Sequence, residues 1–189
     1  MSTEFEGKFA GEFASEFAFR SATIADITEV VALIESAYRG EASRAGWTTE
    51  DDMLDGQRTD EDEIGQIIRG PRSQIRLAYR DGTLVGCVRI EDARDAGYIG
   101  MVSVSPTVQA TGIGRRLLAE AERIIRDELH FDRARMTVIG QRDTLMAWYL
   151  RRGYIVTGKR EAFPYGEPRA GLPKRADLYF EVLEKPLTA

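Results

Sequence analysis

The feature that most constrains the fold is a short loop with two glycines, set between a strand pattern and a long helix pattern. Residues 98–104 alternate like a strand, Ser105-Pro106 ends it, and residues 109–114 read Gln-Ala-Thr-Gly-Ile-Gly. The following helix carries apolar residues at helical spacing, namely Leu117, Leu118, Ala121, Ile124, Ile125 and Leu129. Such a loop at a helix start offers free N–H groups to an anion. The segment therefore predicts a phosphate-binding site.

Gly112 and Gly114 suit such a site because side chains there would block the phosphate oxygens or forbid the backbone angles. The same pair also fits an ordinary tight turn. Three residues after Gly114 stands Leu117 rather than glycine, and no Gly-Lys-Ser/Thr follows. The loop is therefore neither a Rossmann fingerprint nor a Walker loop.

The other patterns alternate between strands and helices. Strands are predicted at residues 17–20, 75–79, 84–90, 135–139, 154–159 and 178–183, with Asp81-Gly82 forming a hairpin turn. A first helix is predicted to pack through Ile24, Ile27, Val31, Ile34 and Tyr38. A second short helix covers residues 144–151 and ends at Gly153, and residues 160–176 form a long loop. This order predicts an α/β fold with a mixed sheet and helices on both faces.

The chain has 189 residues, which favours one compact domain, predicted here over residues 17–189. Residues 1–16 form a phenylalanine-rich repeat interrupted by glycines, and we predict a flexible N-terminal tail there. The single Cys87 excludes an internal disulfide, and the single His130 excludes a multi-histidine zinc site, so no metal is expected.

The net charge of −5 gives no basic field for nucleic acid or a membrane surface, and slightly favours a cationic or neutral substrate. No apolar run is long enough to span a membrane, and the acidic N-terminus lacks the apolar core of a signal peptide. We therefore expect a cytoplasmic protein.

At this point the sequence resembles the GCN5-related N-acetyltransferases, the GNAT superfamily. Val104-Ser105-Pro106 followed by residues 109–114 is similar to the family's Val-x-Pro and Gln/Arg-x-x-Gly-x-Gly/Ala cofactor motif. Residues 148–154, Trp-Tyr-Leu-Arg-Arg-Gly-Tyr, are similar to its aromatic-Tyr-x-x-x-Gly-aromatic segment. The likeness covers residues 17–187. One departure is Arg142, where the family often has asparagine.

The resemblance implies a GNAT fold, a mostly antiparallel sheet of about six to seven strands in which the fourth and fifth strands splay apart. It implies acetyl-CoA as cosubstrate, with the pantetheine arm between those strands and the pyrophosphate on the loop. The implied cofactor-binding residues are Val102, Val104, Gln109, Ala110, Thr111, Gly112, Ile113, Gly114 and Arg115. The implied reaction is direct attack of an amine on the thioester.

The resemblance makes Tyr149 the general acid that protonates the departing thiolate. A carboxylate or a water chain must accept the proton of the amine, and the candidates are Glu91, Asp92 and Glu35. Each of these acids equally fits a solvated surface. Loop aromatics that could line an acceptor pocket are Trp47, Phe163 and Tyr165, which could also pack on neighbouring strands.

We expect a primary amine on a small molecule as the acceptor. Two alternatives stay open: acetylation of a protein or peptide amine, and an acyl-CoA-binding sensor without catalysis. The sequence does not identify the acceptor or the oligomeric state, for which a homodimer is one option. Cys87 is a poor nucleophile candidate because its predicted strand would bury the thiol.

Overall fold

The computed structural model describes residues 17–187, so the predicted tail over residues 1–16 lies outside the described part of the chain. The described strands are β1 (Phe17–Ser21), β2 (Leu54–Asp55), β3 (Ser73–Arg80), β4 (Thr83–Asp92), β5 (Gly97–Val104), β6 (Arg133–Ile139), β7 (Ile155–Ala162), β8 (Leu172–Pro173) and β9 (Tyr179–Pro186). The helices are α1 (Ile27–Tyr38), α2 (Gly40–Arg44), α3 (Glu61–Arg69), α4 (Ile113–Asp127) and α5 (Asp143–Leu150).

Seven of these strands form one sheet in the order β1-β3-β4-β5-β6-β9-β7. All neighbours are antiparallel except β5 and β6, which run parallel. The predicted mixed, mostly antiparallel sheet is therefore confirmed. The short strands β2 and β8 pair with each other in a second, two-stranded sheet.

The fourth and fifth strands of the large sheet, β5 and β6, separate soon after they meet. Their pairing is confined to Gly97 with Ala134 and Tyr98 with Arg135. Beyond that point β6 keeps its pairing with β9, whereas the later residues of β5 face a gap. The predicted splay is thus present, and it opens the sheet beside Val102 and Val104.

A bulge in β5 accompanies the splay. Between the pairs Cys87–Ser103 and Arg89–Gly100, β5 carries one residue more than β4. Met101 lies in this stretch with a φ of +50°, which side-chain-bearing residues rarely adopt. A bulge bends its strand and increases the local twist, so this one turns β5 away from β6.

Helices cover both faces of the sheet, as predicted. On one face α4 packs through Leu117, Ala121, Ile124 and Ile125 against β4, β5 and β6. On the other, α1 and α3 pack against inward residues of β3 and β4, among them Leu77 and Cys87. Each fully buried aliphatic side chain contributes about 1.5–3 kcal/mol to the stability of the fold. Both interfaces therefore stabilise the sheet in which β5 and β6 separate.

Two details differ from the sequence prediction. The buried face of α1 consists of Val30, Leu33, Ile34, Ala37 and Tyr38, and Ile24 is 57% exposed. The reason is that Ile24 belongs to a 3₁₀ turn (Ile24–Asp26) before the helix, which changes its angular position. The predicted loop over residues 160–176 is also shorter, since β7 continues to Ala162 and β8 pairs with β2.

Candidate active site

The start of α4 points into a cavity with its backbone N–H groups unpaired. Gly112 is the N-cap, with φ +88° and ψ 0°, and no side chain caps the helix. The first helical backbone bond runs from Arg116 N to Gly112 O at 3.1 Å. The N–H groups of Ile113, Gly114 and Arg115 therefore lack helical partners and carry the positive end of the helix dipole.

The two loop glycines serve different purposes. A Cβ on Gly112 would meet nothing within 4 Å, so the left-handed backbone angle alone explains glycine there. A Cβ on Gly114 would only make ordinary contacts with Trp148 and Val104 at 3.5–3.7 Å. The absent side chain at Gly114 keeps space open between Trp148 and Val104, which both line the same cavity as Gly114.

The cavity at this helix start has a volume of about 250 Å³, and we call it the loop cavity. Of the nine residues predicted to bind the cofactor, eight line it: Val102, Val104, Gln109, Ala110, Gly112, Ile113, Gly114 and Arg115. Thr111 does not, because its hydroxyl turns back to donate to Val108 O at 2.7 Å. Ala110 adopts a φ of +66°, a strained angle for a residue with a Cβ.

The side chain of Gln109 ties the loop to the splayed strand. Its Oε1 accepts a hydrogen bond from Trp47 N at 2.9 Å. Its Nε2 donates to Thr48 Oγ1 at 2.9 Å and to Val104 O at 3.1 Å. Trp47 then packs on Trp148, with ring centroids 5.9 Å apart, so this residue, a candidate for the acceptor pocket, forms a wall of the loop cavity.

Two arginines supply positive charge to the loop cavity. Arg152 lies with its guanidinium 3.5 Å from the centroid of the Trp148 ring, and its buried Nε has no hydrogen-bond partner. Burial lowers the pKa of Arg152, and the nearby Arg151 and Arg115 lower it further. Arg152 Nη1 donates to Trp148 O at 2.6 Å, so Nε is the unmet donor. A guanidinium group with an unmet donor and two further arginines nearby fits a polyphosphate ligand.

Arg116 differs from Arg115 in its surroundings. Its guanidinium lies over the ring of Phe17, 4.7 Å from the centroid, on the outer side of α4. Arg115 lines the loop cavity and Arg116 does not. Only the first of the two arginines after the loop is therefore positioned to contribute charge there.

A second cavity, the splay cavity, lies between β5 and β6 and has a volume of about 200 Å³. It shares Val102, Leu145 and Tyr149 with the loop cavity, so the two adjoin. Val102 O accepts a hydrogen bond from Tyr38 Oη at 2.8 Å. Tyr98 and Thr137 link the two strands across the gap by a hydroxyl–hydroxyl bond of 2.9 Å.

Tyr149 stands at the boundary of the two cavities. The residue is buried, and its ring makes edge contacts with Trp148 and Tyr154 at centroid distances of 5.0 and 5.7 Å. Among the described residues its hydroxyl has no hydrogen-bond partner. Burial, together with the nearby Tyr38, raises the pKa of Tyr149 well above its ordinary value, so the hydroxyl keeps its proton.

A buried ion cluster lines the inner end of the splay cavity. Glu50 Oε2 accepts from Arg39 Nη1 at 2.6 Å, and Glu50 Oε1 accepts from Arg142 Nη1 at 2.9 Å. Burial alone would raise the pKa of Glu50, but Arg142, Arg58 and Arg39 outweigh it and lower the pKa. The carboxylate therefore stays charged in a protein interior.

A third cavity, the outer cavity, has a volume of about 380 Å³ and opens beyond the ion cluster. It shares Glu50, Arg58, Ile139 and Phe180 with the splay cavity. Phe163, predicted to line an acceptor pocket, does line this cavity and stacks on Phe180 at 5.6 Å. Tyr165 does not line it, and its hydroxyl accepts from Leu178 N at 2.7 Å.

The three acids considered as bases lie outside all three cavities. Glu91 forms an ion pair with Arg89 on β4. Glu35 Oε1 accepts from the backbone N–H groups of Arg58 and Thr59, and Asp92 accepts from Arg94 N in a turn. Cys87 is fully buried, and burial raises the pKa of its thiol to about 12, so the thiolate is scarce.

The sequence reasoning missed the residues of the ion cluster and Arg58. They come from segments far apart in sequence and without a motif, and charge in a loop normally indicates solvent exposure. The one available signal was Arg142, recognised as a departure from the family's asparagine. Its guanidinium also donates to Thr48 O, so it fixes the segment that carries Glu50.

The sheet splays beside an uncapped helix start, and a buried tyrosine lies between the two cavities that meet there. This combination is typical of acetyltransferases. The model of the acetyltransferase (GNAT) family matches residues 31–154. The chain belongs to that family and is an N-acetyltransferase of the GNAT type. Among curated proteins, no sequence match is found.

Solved structures share the fold at low sequence identity. The ribosomal-protein-S18-alanine N-acetyltransferase from Escherichia coli is 13% identical, with a TM-score of 0.67 and coverage of 92% of this chain and 96% of its own. A chimera of the spermidine N-acetyltransferase SpeG from Vibrio cholerae and hSSAT is 12% identical, with a TM-score of 0.64 and coverage of 92% and 96%.

A third structure was solved with acetyl coenzyme A bound. It is a protein from Bacillus anthracis str. Ames assigned as a streptothricin acetyltransferase, 16% identical with a TM-score of 0.54, and the match covers 65% of this chain and 67% of that one. The family uses acetyl-CoA, whereas these three relatives are named for different acceptors.

Between residues 17 and 187, no group of His, Cys, Asp or Glu is arranged to hold a metal, and no helix could cross a membrane.

Proposed function

We propose that the protein transfers the acetyl group of acetyl-CoA to a primary amine of a small molecule by direct attack. The observation that carries the proposal is the position of Tyr149, which lines both the loop cavity and the splay cavity. A donor in one cavity and an acceptor in the other would meet at its hydroxyl. Tyr149 is then within reach of the reacting atoms.

The loop cavity fits the donor. Its uncapped N–H groups at Ile113, Gly114 and Arg115 suit a pyrophosphate, and the unmet Nε of Arg152 adds a charged donor. Val102 and Val104, on the part of β5 that is no longer paired with β6, also line the loop cavity, so a pantetheine arm would run along them toward Tyr149. Acetyl-CoA supplies an activated thioester, which brings the acetyl group to Tyr149.

The raised pKa of Tyr149 defines its role. A hydroxyl that stays protonated can donate to the thiolate leaving group, but it cannot act as the base. Glu50 is a poor base because both of its oxygens are held in ion pairs and its pKa is lowered. We propose instead that desolvation and the nearby guanidinium groups lower the pKa of the bound amine, so that it loses its proton to water.

The test is the Tyr149→Phe variant, assayed by release of the coenzyme A thiol with a panel of amines. We expect kcat to fall about 100- to 10,000-fold while the KM for acetyl-CoA is unchanged. Tyr165→Phe removes a hydroxyl outside the cavities and serves as the matched control, with kcat close to wild type. Full activity in Tyr149→Phe would refute the acid role.

The same panel separates the alternatives. Turnover only on peptides would favour a protein or peptide acetyltransferase, and acetyl-CoA binding without turnover on any amine would favour a sensor. The small volume of the splay cavity favours a small acceptor over a folded protein surface. The cytoplasmic location and a homodimer remain predictions from the sequence.

A further inference from the structure

The charge of the splay cavity is opposite to that of the whole chain. The protein carries a net charge of −5. Its charged lining, however, consists of the carboxylate of Glu50 and the guanidinium groups of Arg58 and Arg142, and Arg39, which lines the adjoining outer cavity, pairs with the same carboxylate. The three arginines and one glutamate therefore leave a net charge of two positive units, and one of the arginines has no direct partner among the described residues.

Arg58 is the unpaired member. Within residues 17–187 its side chain makes no hydrogen bond or ion pair, and its guanidinium lies 5.4 Å from the centroid of the Tyr38 ring. It lines both the splay cavity and the outer cavity, so it stands where the two meet. Burial opposes its charge, but Glu50 and the other nearby acids keep the pKa of Arg58 raised, and it remains a cation.

The other acids near Arg58 have their own hydrogen bonds. Glu35 Oε1 accepts from Arg58 N and Thr59 N at 2.6 and 2.8 Å, and Glu63 Oε2 accepts from Thr59 Oγ1 at 2.7 Å. Neither acid lines the splay or the outer cavity; among the described residues, the acid besides Glu50 that lines the outer cavity is Glu167, which forms no ion pair with Arg58. An acid on a ligand could therefore take the partner position that the protein leaves open.

Arg39 adds a second set of unmet donors. One of its nitrogens holds Glu50, while its buried Nε and Nη2 have no partner among the described residues. Arg39 lines the outer cavity beside Arg58. Buried guanidinium N–H groups without acceptors destabilise the protein. A carboxylate can accept hydrogen bonds from two of these N–H groups at once.

We propose that the acceptor is a small amine that carries a carboxylate, with the carboxylate bound at Arg58 and the amine directed toward Tyr149. This inference rests on the proposed function and specifies its substrate class. The apolar wall of the outer cavity, formed by Leu54, Ile139, Phe163 and Phe180, would take the rest of the molecule. Polyamines would be disfavoured because their extra cations would face three guanidinium groups.

The first experiment compares each acceptor with its own amide. A panel of α- and ω-amino acids, the corresponding amino acid amides and spermidine is assayed for acetyl transfer. We expect the best amino acid to exceed its amide in kcat/KM about 10- to 100-fold, because only the acid pairs with Arg58. The amino acid amide has nearly the same shape as the amino acid and a less basic amine. If the ease of amine deprotonation alone set the rate, the amide would be the better substrate.

The second experiment is Arg58→Met, which keeps much of the side-chain volume and removes the charge. We expect the KM for the best amino acid to rise about 10- to 100-fold, with the KM for acetyl-CoA unchanged and a clearly smaller loss of activity on the amide, which loses only the effect of the guanidinium on its amine. Arg126→Met, at an exposed arginine paired with Asp127 at the end of α4, is the control and should match wild type. Equal losses for acid and amide in Arg58→Met would overturn the proposal.

Binding without turnover separates this inference from the proposed function. The N-acetyl forms of the amino acids and of their amides are titrated calorimetrically into the protein with coenzyme A present. If no amine is acetylated but N-acetyl acids bind in an Arg58-dependent manner, the proposed function fails and the carboxylate site stands. If acetylation is efficient but spermidine or the amides are the best substrates, the proposed function stands and the carboxylate site is wrong.

Discussion

The two cavities that meet at Tyr149 are built in opposite ways. The loop cavity depends on one continuous stretch, residues 109–115, whose backbone N–H groups need little more than correct angles. The splay cavity takes its charge from side chains of separate segments, namely Glu50, Arg58 and Arg142. A backbone site binds any ligand with a phosphate, whereas a side-chain site selects by charge and shape. The shared donor and the individual acceptor are thus recognised by different kinds of structure.

The difference extends to stability. The loop cavity contains no ion pair that must be kept, so changes there should mainly affect ligand binding. In the splay cavity, Glu50 holds two guanidinium groups in a poorly solvated interior, and its loss should affect folding itself. Substitutions in the two cavities should therefore have different signatures.

The largest effect is expected for Glu50→Gln. The change leaves Arg39, Arg58 and Arg142 buried without a counter-charge, so we expect the free energy of unfolding to fall by about 3–5 kcal/mol. Urea unfolding followed by circular dichroism measures it. Glu41→Gln removes an exposed carboxylate that pairs only with Arg44, and should change stability little. Equal stability of Glu50→Gln and wild type would show that the cluster does not support the fold.

The pH dependence of the same variant gives a second readout. The folded pKa of Glu50 lies below its ordinary value of 4.5, so its contribution is present above pH 4.5 and is lost as the pH falls through the folded pKa. Glutamine does not titrate in this range. The stability difference between wild type and Glu50→Gln should therefore be constant near neutral pH and shrink below about pH 4.5. A difference that grows on acidification would contradict this assignment.

The contrast between the cavities also explains how much the sequence could predict. The strand, loop and helix around Gly112 are adjacent in the chain, and hydrophobic periodicity with glycine placement was enough to locate them. The segment around Tyr149, also continuous in the chain, was recognised by its resemblance to the family motif. The charged cluster depends on Arg39 and Arg142 meeting Glu50 after the chain has folded, and no local pattern encodes that meeting. Predicting it requires the three-dimensional packing.

The positions of two loop aromatics have the same physical origin. Trp47 was one candidate for the acceptor pocket, and the hydrogen bond from its backbone N–H to Gln109 holds it against the loop cavity. Tyr165 was expected to line a pocket, but its hydroxyl fixes the backbone of the loop before β9. In both cases a hydrogen bond between residues that are distant in the sequence determines where the aromatic residue packs, and the sequence alone does not show that bond.

A smaller effect should distinguish the two loop glycines. Gly114→Ala adds a methyl group inside the loop cavity, at ordinary contact distance from Trp148 and Val104, so we expect the Kd for acetyl-CoA to rise about 10-fold, which is about 1.4 kcal/mol. Its stability should be unchanged or slightly higher, since alanine favours the helix. Gly112→Ala should instead lose about 1 kcal/mol of stability because its φ is +88°.

Calorimetric titration with acetyl-CoA and thermal unfolding of the apo proteins measure both quantities. The two variants are each other's control, since each adds one methyl group to the same loop. If Gly114→Ala bound acetyl-CoA as tightly as wild type, the pyrophosphate would have to lie elsewhere, and the loop cavity would lose its proposed role.

The smallest effect concerns Ala110, which carries a Cβ at a φ of +66°. Ala110→Gly relieves this strain, worth about 1–2 kcal/mol, but the more flexible unfolded chain offsets about 0.4–1 kcal/mol. We expect a net gain of about 0.5 kcal/mol in urea unfolding. Ala162→Gly, at an exposed position of β7, removes the same methyl group without relieving strain and should be destabilising. If both variants lost stability equally, the backbone of Ala110 would not be strained. The positive φ would then have no energetic cost in the loop.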